Sequence, residues 1–255
     1  EAVRLYRLAA DKGVAEAMNS LGLMYAKGHG GLAKDEVEAV RLYRLAADKG
    51  VAEAMSNLGA MYANGRGGLA KDEVEAVRLY RLAANEGIAE AIHNLAWMYA
   101  NGHGGLTKDE VEAVRLFRLA ADQGIAEALY SLGAMYWDGR GQLSKDEAIA
   151  AQFYRLAAEK GDSAAMHNLG VLYALGRGGL NRDVRLAARW LVAAIVAGNQ
   201  VTIDQSMGSV DPFGADLRRA IIERLKSEGH YSGPVTDTFT PAVFAAMERL
   251  VARAK

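Results

Sequence analysis

The sequence predicts an all-α solenoid of stacked helix pairs, and three observations carry that prediction. The stretch EAVRLYRLAADKGVAEAM at residues 1–18 recurs letter for letter at 38–55, a period of 37 residues, and self-similarity at that spacing is the mark of a repeat array. Within each period, two apolar patterns of helical periodicity alternate. Each helix is also punctuated: a glycine-rich stop closes one, and an acidic start opens the next.

Taken in order, a leading helix at 1–13 is followed by repeats at about 15–50, 52–87, 89–124, 126–161 and 163–198. One helix type, rich in arginine, reads EAVRLYRLA from Glu1, Glu38 and Glu75, EAVRLFRLA from Glu112, IAAQFYRLA from Ile149 and LAARWLVAA from Leu186. The other begins at Ala15, Ala52, Ala89, Ala126 and Ser163. In its first copy Ala17, Met18, Leu21, Met24, Tyr25 and Gly28 fall on one face, and Gly28-His29-Gly30-Gly31 ends it. Asp35 stands three residues before Glu38, as do Asp72 before Glu75 and Asp109 before Glu112, the spacing of a capping box.

The run L-G-x-x-Y-x-x-G-x-G at Leu21, Gly22, Tyr25, Gly28 and Gly30, followed by A-x-x-x-Y-x-x-A at Ala39, Tyr43 and Ala46, resembles the Sel1-like repeat, a relative of the tetratricopeptide repeat. Five such units cover roughly residues 15–198, with Ala96, Leu172 and Leu191 as departures. The resemblance implies a right-handed superhelix of helix pairs that acts as a protein adaptor, often in bacterial envelope or host-contact settings. A bacterial periplasmic or envelope location is therefore slightly favoured over the cytoplasm.

Composition excludes several classes. Thirty basic against 31 acidic residues leave a net charge of −1, so a global nucleic-acid footprint is absent. The longest apolar run, Trp190 to Gly198, is far below the ~20 residues that cross a bilayer. No cysteine is present, so thiolate chemistry and thiolate metal sites are excluded. The five histidines form no H-E-x-x-H pattern, and neither a metal nor a cofactor is expected. The G-x-G turns carrying His29, Arg66, His103, Arg140 and Arg177 lack the lysine and the preceding strand of a phosphate loop; they read as turns with an exposed cation. No nucleophile has a triad or elbow context, so the chain is read as non-enzymatic. The rows at Arg4, Arg41, Arg78 and Arg115, one turn after Glu1, Glu38, Glu75 and Glu112, read as ion pairs on a solvated convex face. A second row runs through Arg7, Arg44, Arg81, Arg118 and Arg155.

Near-identical copies provide an internal control, because positions fixed by packing stay constant and partner-facing ones are free to vary. In the helix bearing the Leu-Gly motif, the position two before the leucine reads Asn19, Ser56, His93, Tyr130 and His167. The position two after it reads Leu23, Ala60, Trp97, Ala134 and Val171, and the residues after the tyrosine include Asn101, Trp137 and Asp138. The family resemblance implies that these positions line a concave groove. His93, Trp97, Asn101, Tyr130, Trp137, Asp138 and His167 are thus the candidate contacts for a protein or peptide partner, since Trp and Tyr are favoured anchors. Trp97 has an equally good packing explanation, as filler beside Ala96.

All three prolines, Pro212, Pro234 and Pro241, lie beyond residue 199, where the register is read as ending. A loop over 199–214 is expected, then a helix ending at Gly229 and another opened by Thr240-Pro241. The helix from Leu186 has lost most of its charge, as expected if another element covers it. The segment with Gly229, Tyr231, Gly233, Pro234, Phe239 and Pro241 resembles a small helical peptidoglycan-binding domain, although Thr236, Asp237 and Thr240 depart from the family pattern. Two readings stay open: a structural cap formed by 199–255, or a cell-envelope protein that docks on peptidoglycan through residues 215–255, using Tyr231, Asp237 and Phe239. Because the pattern begins mid-helix at Glu1, the chain is expected to be a fragment or processed product, and a third reading makes it the adaptor portion of a longer enzyme.

Overall fold

A computed structural model describes residues 1–207 and 214–254. Among these residues all regular structure is helical, and the chain is an all-α helical-repeat solenoid. It divides into two compact units, Glu1–Ile125 and Ala126–Lys255.

The first unit contains α1 (Ala2–Asp11), α2 (Ala15–Lys27), α3 (Glu36–Ala47), α4 (Ala52–Asn64), α5 (Glu73–Asn85), α6 (Ala89–Asn101) and α7 (Glu110–Asp122). The even-numbered helices carry the Leu-Gly motif and the odd-numbered ones the arginines. Each Leu-Gly helix packs against the arginine helices before and after it in sequence. Alanines at the crossings, Ala39, Ala54, Ala76 and Ala91 among them, are wholly buried, so the backbones approach closely enough for Tyr43, Tyr80 and Phe117 to fill the seams.

The turn between helices is locked at both ends. Gly28, Gly65 and Gly102 close the Leu-Gly helices in the left-handed conformation, which glycine adopts without a Cβ clash. Asp35, Asp72 and Asp109 then cap the next helix, each accepting from the backbone N–H three residues on. The expected reciprocal half of the capping box does not form. The backbone N–H groups of Asp35, Asp72 and Asp109 donate instead to the carbonyls of Tyr25, Tyr62 and Tyr99, each at 2.9 Å. That frees Glu38, Glu75 and Glu112 to grip Arg41, Arg78 and Arg115 through paired bonds of 2.7–2.8 Å, as the spacing predicts.

The second unit contains α8 (Ala126–Asp138), α9 (Glu147–Glu159), α10 (Ser163–Leu175), α11 (Val184–Val196), α12 (Gln200–Met207), α13 (Ala215–Ser227) and α14 (Pro241–Ala254). The loop expected over 199–214 is in part a helix. Residue for residue, α12 lies 37 positions after α10, and Asn199 caps it by accepting from the N–H of Thr202 at 3.1 Å, as Asp162 caps α10 through Ala165. Thr202 and Ile203 are buried. The register therefore runs half a helix further than the loss of motif residues suggests. Residues 208–213 of the expected loop, Pro212 among them, lie outside the described residues.

Beyond it, α13 and α14 lay Leu217, Ile221, Leu225, Val243, Met247 and Val251 over Leu191, Val192 and Ile195 of α11. The charge-poor helix is covered, as its composition predicts. With ~25 cal/mol gained per Å² of apolar surface removed from water, the last helix of an array left bare would be a standing liability, and this module removes it.

Candidate functional site

Three of the sequence-singled columns meet in the second unit. Trp137 at the end of α8, and His167 and Val171 on α10, line one pocket of 250 Å³. Its other walls are Tyr154 from α9, Asn168 and Leu172 from α10, and Gln205 from α12. Tyr130 stands just behind it: its ring lies 5.7 Å from that of Tyr154, and both phenols hydrogen-bond Asn168. Burial pushes both phenols up from the usual tyrosine range, so they stay protonated. The exposed carboxylate of Asp138 is outside the lining.

Trp137 is oriented by its neighbours. The Arg177 guanidinium lies 4.6 Å above the indole and is itself paired with Glu147 at 2.5 Å, which holds that carboxyl below the usual range. The G-x-G turn residue is thus no free cation. In the first unit Arg66 and His103 reach back in the same way to Glu36 and Glu73; the hydrogen bonds of Arg66 and Lys34 hold Glu36 at about 2. The signal was present in the sequence as a constant offset of 30 residues between each glutamate and the turn residue it meets.

His167 is corrected from a projecting contact to a wall. It is 5% exposed, its Nδ1 is 3.0 Å from Thr202 Oγ1, and it also hydrogen-bonds Gln205. Burial lowers its pKa, so the ring is neutral at pH 7. Gln205, Asn168 and Tyr154 were not singled out from the sequence. Gln205 was legible only by continuing the register, for it falls 37 residues after Asn168.

In the first unit the candidate residues separate into two kinds. Trp97 on α6 is 46% exposed, so it does not fill the space beside Ala96. Its ring stacks on His103 at 4.9 Å and 9°, and Asn101 donates to the Trp97 carbonyl at 2.8 Å. The indole is a braced, open platform. His93 is instead half-buried, its ring 5.6 Å from Phe117. Positions 93 and 130 therefore pack on the aromatic of the following arginine helix: His93 meets Phe117 and Tyr130 meets Tyr154.

The second arginine row also has a structural use. Arg7, Arg44, Arg81 and Arg155 donate to the hydroxyls of Tyr25, Tyr62, Tyr99 and Tyr173 at 2.8–3.2 Å. Each bond bridges an arginine helix to the Leu-Gly helix that follows it, fixing the motif tyrosine rather than awaiting an anionic ligand.

In the C-terminal module Tyr231, Asp237 and Phe239 do not assemble into one site. Tyr231 borders a 420 Å³ hollow with Pro234 and Arg249, and its hydroxyl folds over Gly233, where any Cβ would collide with it. Phe239 turns inward against Phe244 and the α11–α13–α14 core. Asp237 is exposed, its Oδ1 accepting from Thr238 and its carbonyl from Arg218. Among the described residues no three acidic or histidine side chains are placed to hold a metal, and no helix is long and apolar enough to cross a membrane.

The family model for the Sel1 repeat matches residues 1–14, 15–51, 52–88, 89–125, 126–162 and 163–199. Among solved structures, a Sel1 repeat protein from Oxalobacter formigenes is 31% identical, with a TM-score of 0.68 over 88% of this chain and 99% of that one. The protective antigen c5321 of uropathogenic Escherichia coli, described as an SLR fold, is 29% identical, with a TM-score of 0.64 over 97% of this chain; the match spans 56% of that longer chain. The immunity protein Pa5087 from Pseudomonas aeruginosa, 20% identical with a TM-score of 0.58 over 94% of this chain and 81% of that one, shares the fold. No curated protein matches the chain.

Proposed function

We propose, from the premise that this chain belongs to the Sel1-repeat family, that it is a non-enzymatic scaffold gripping a protein or peptide through the variable side chains of its Leu-Gly helices. Sel1-repeat proteins are in general protein-interaction scaffolds, so the class of function follows from membership. The finer reading, a ligand held on this particular face, is carried by one observation: Trp137, His167 and Val171, drawn from three different variable columns, line the same pocket. Packing does not call for Trp137 or Val171, because their columns elsewhere hold Ala26, Ala63 and Ala100 or Leu23, Ala60 and Ala134 in equally well-formed repeats. Trp97, exposed and braced by His103, is the corresponding anchor in the first unit.

The test is site-specific photo-crosslinking in the source cell extract. A benzoylphenylalanine at Val171 or Trp97 is expected to trap a discrete polypeptide, identified by mass spectrometry. The same group at Leu156 or Leu82, exposed on arginine helices, is expected not to trap it. Equal trapping at all four positions, or trapping only from the arginine helices, refutes the reading.

A further inference from the structure

The pocket of the second unit has the size and chemistry to define what it accepts. At 250 Å³ it is below the ~300–1,000 Å³ of sites that enclose a whole small ligand and above the ~150 Å³ cavity that accommodates a benzene ring. It is therefore the size of one side chain.

Its lining carries no net charge at neutral pH: Trp137, Tyr154, Val171, Leu172, Asn168 and Gln205 are uncharged, and buried His167 is held neutral. A cationic occupant is disfavoured twice. No carboxylate lines the pocket, and the Trp137 ring already has the Arg177 guanidinium over it, so a second cation against that ring meets a like charge. An anion would find no free cation there, because Arg177 is committed to Glu147. Asn168 bonds the two phenols and Gln205 bonds His167; an aliphatic occupant would strip water from the hydrogen-bonding capacity their carboxamides keep beyond those bonds and replace none of it, a cost that buried polar groups do not bear well. A ring with a hydrogen-bonding edge satisfies both walls. It stacks or tilts against Trp137 and Tyr154 as aromatic pairs prefer, and its edge meets the amides.

We propose that the pocket between α8, α10 and α12 receives one tyrosine or tryptophan side chain of the partner polypeptide, and that α12, the half-helix continuing the repeat register, exists in part to supply its Gln205 wall. This rests on the scaffold reading above and specifies the anchor it uses.

The experiment uses the full chain with Val171 and Leu172 methyl groups observed by NMR. N-acetyl-tyrosinamide and N-acetyl-tryptophanamide are titrated alongside N-acetyl-leucinamide and Nα-acetyl-lysinamide. The aromatic amides are expected to give saturable shifts with half-saturation on the order of a millimolar, as befits fragments of about 16 to 18 heavy atoms of which only the ring enters the pocket. They are expected to bind at least tenfold more tightly than the other two. Val171→Trp, which places in the pocket the residue its column already carries at Trp97, is expected to weaken the aromatic amides at least tenfold. Gln205→Ala, at an exposed side chain, is expected to weaken them severalfold and provides the same test if the first variant melts early.

Leucinamide or lysinamide binding as tightly, or no saturable shift with either aromatic amide, overturns the proposal. A parallel selection of random twelve-residue peptides on the same chain keeps the two readings apart. Peptides that bind without Tyr or Trp and ignore Val171→Trp leave the scaffold reading standing and sink the aromatic pocket. Amide binding with no peptide selected does the reverse.

Discussion

The first unit repeats itself and the second does not, and their hollows show what that difference means. Between successive arginine helices of the first unit lie three equivalent depressions, each crossed by an arginine-to-tyrosine bond: Arg7 to Tyr25, Arg44 to Tyr62 and Arg81 to Tyr99. Each is walled by a glutamate–arginine pair and an exposed leucine, such as Glu75–Arg78 with Leu82. A feature copied three times with the same residues is a by-product of building the same joint three times. The second unit's pocket is distinguished by Trp137, His167 and Val171, positions at which the copies disagree, set beside the recurring Tyr154 and Asn168. Repetition there marks the joint, and departure from it marks the surface available for recognition.

That contrast can be attacked at the joints first. Gly67 sits at positive φ where a Cβ would collide with the Glu36 carbonyl, whereas at Gly178 the corresponding carbonyl of Glu147 would lie 2.9 Å away. Gly67→Ala is expected to cost about 3 kcal/mol through clash and left-handed strain together, and Gly178→Ala measurably less, as read from urea unfolding. Equal costs would mean that the diverged joint is as tight as the copied one.

Next comes the helix contact. A Cβ at Gly59 would meet the Tyr80 ring at 2.9 Å, while the third repeat carries Ala96 opposite Phe117. Gly59→Ala is expected to destabilise by about 2 kcal/mol as an overpacking change, and Ala96→Gly by roughly 1 kcal/mol through added chain entropy. A neutral Gly59→Ala would show that this seam yields.

A smaller effect, opposite in sign, is expected at Gln142, which holds φ at 62° where the other repeats place glycine. Gln142→Gly should stabilise by about 1 kcal/mol, detectable as a raised melting temperature.

The pH response separates the units as well. His167 has a lowered pKa in the folded chain, so its contribution is present above its ordinary unfolded value near 6.5 and is lost as pH falls through the lower folded value. Thermal stability of the second unit is expected to drop on acidification below pH 6.5, and His167→Gln is expected to flatten that drop. In the first unit Glu36, held at about 2 by Arg66 and Lys34, contributes above pH 4.5 and loses its contribution only as pH falls toward 2. Because the Arg66 side chain is about half exposed and Lys34 still pairs with Glu36, Arg66→Ala is expected to cost no more than about 1 kcal/mol.

Much of this was legible in the sequence, for identifiable reasons. A 37-residue period with fixed caps leaves one way to lay down the helices, so Asp35, Gly28 and Glu38–Arg41 do what their spacing predicts. Covering of the charge-poor α11 was readable because an apolar face on the last arginine helix needs a neighbour. The misreadings share a cause: each involves a partner distant in sequence. The Asp35 N–H found the Tyr25 carbonyl rather than Glu38, Arg66 found Glu36, and His167 found Thr202 and Gln205 on a helix whose motif residues had disappeared. Trp97 and Trp137 could be singled out by their variation, but whether an indole faces solvent or core is decided by neighbours such as His103 and Arg177, which periodicity does not disclose.

The central claim, that recognition resides where the copies differ, is tested most directly by reverting one such position. Trp137→Ala installs the residue present at Ala26, Ala63 and Ala100, so the helical melting curve should barely move. Affinity for a peptide selected on the unaltered chain should fall about thirtyfold, the loss of ~2 kcal/mol typical of a buried aromatic anchor. Affinity unchanged within threefold, or a melting temperature lowered by as much as a core truncation would lower it, contradicts the account.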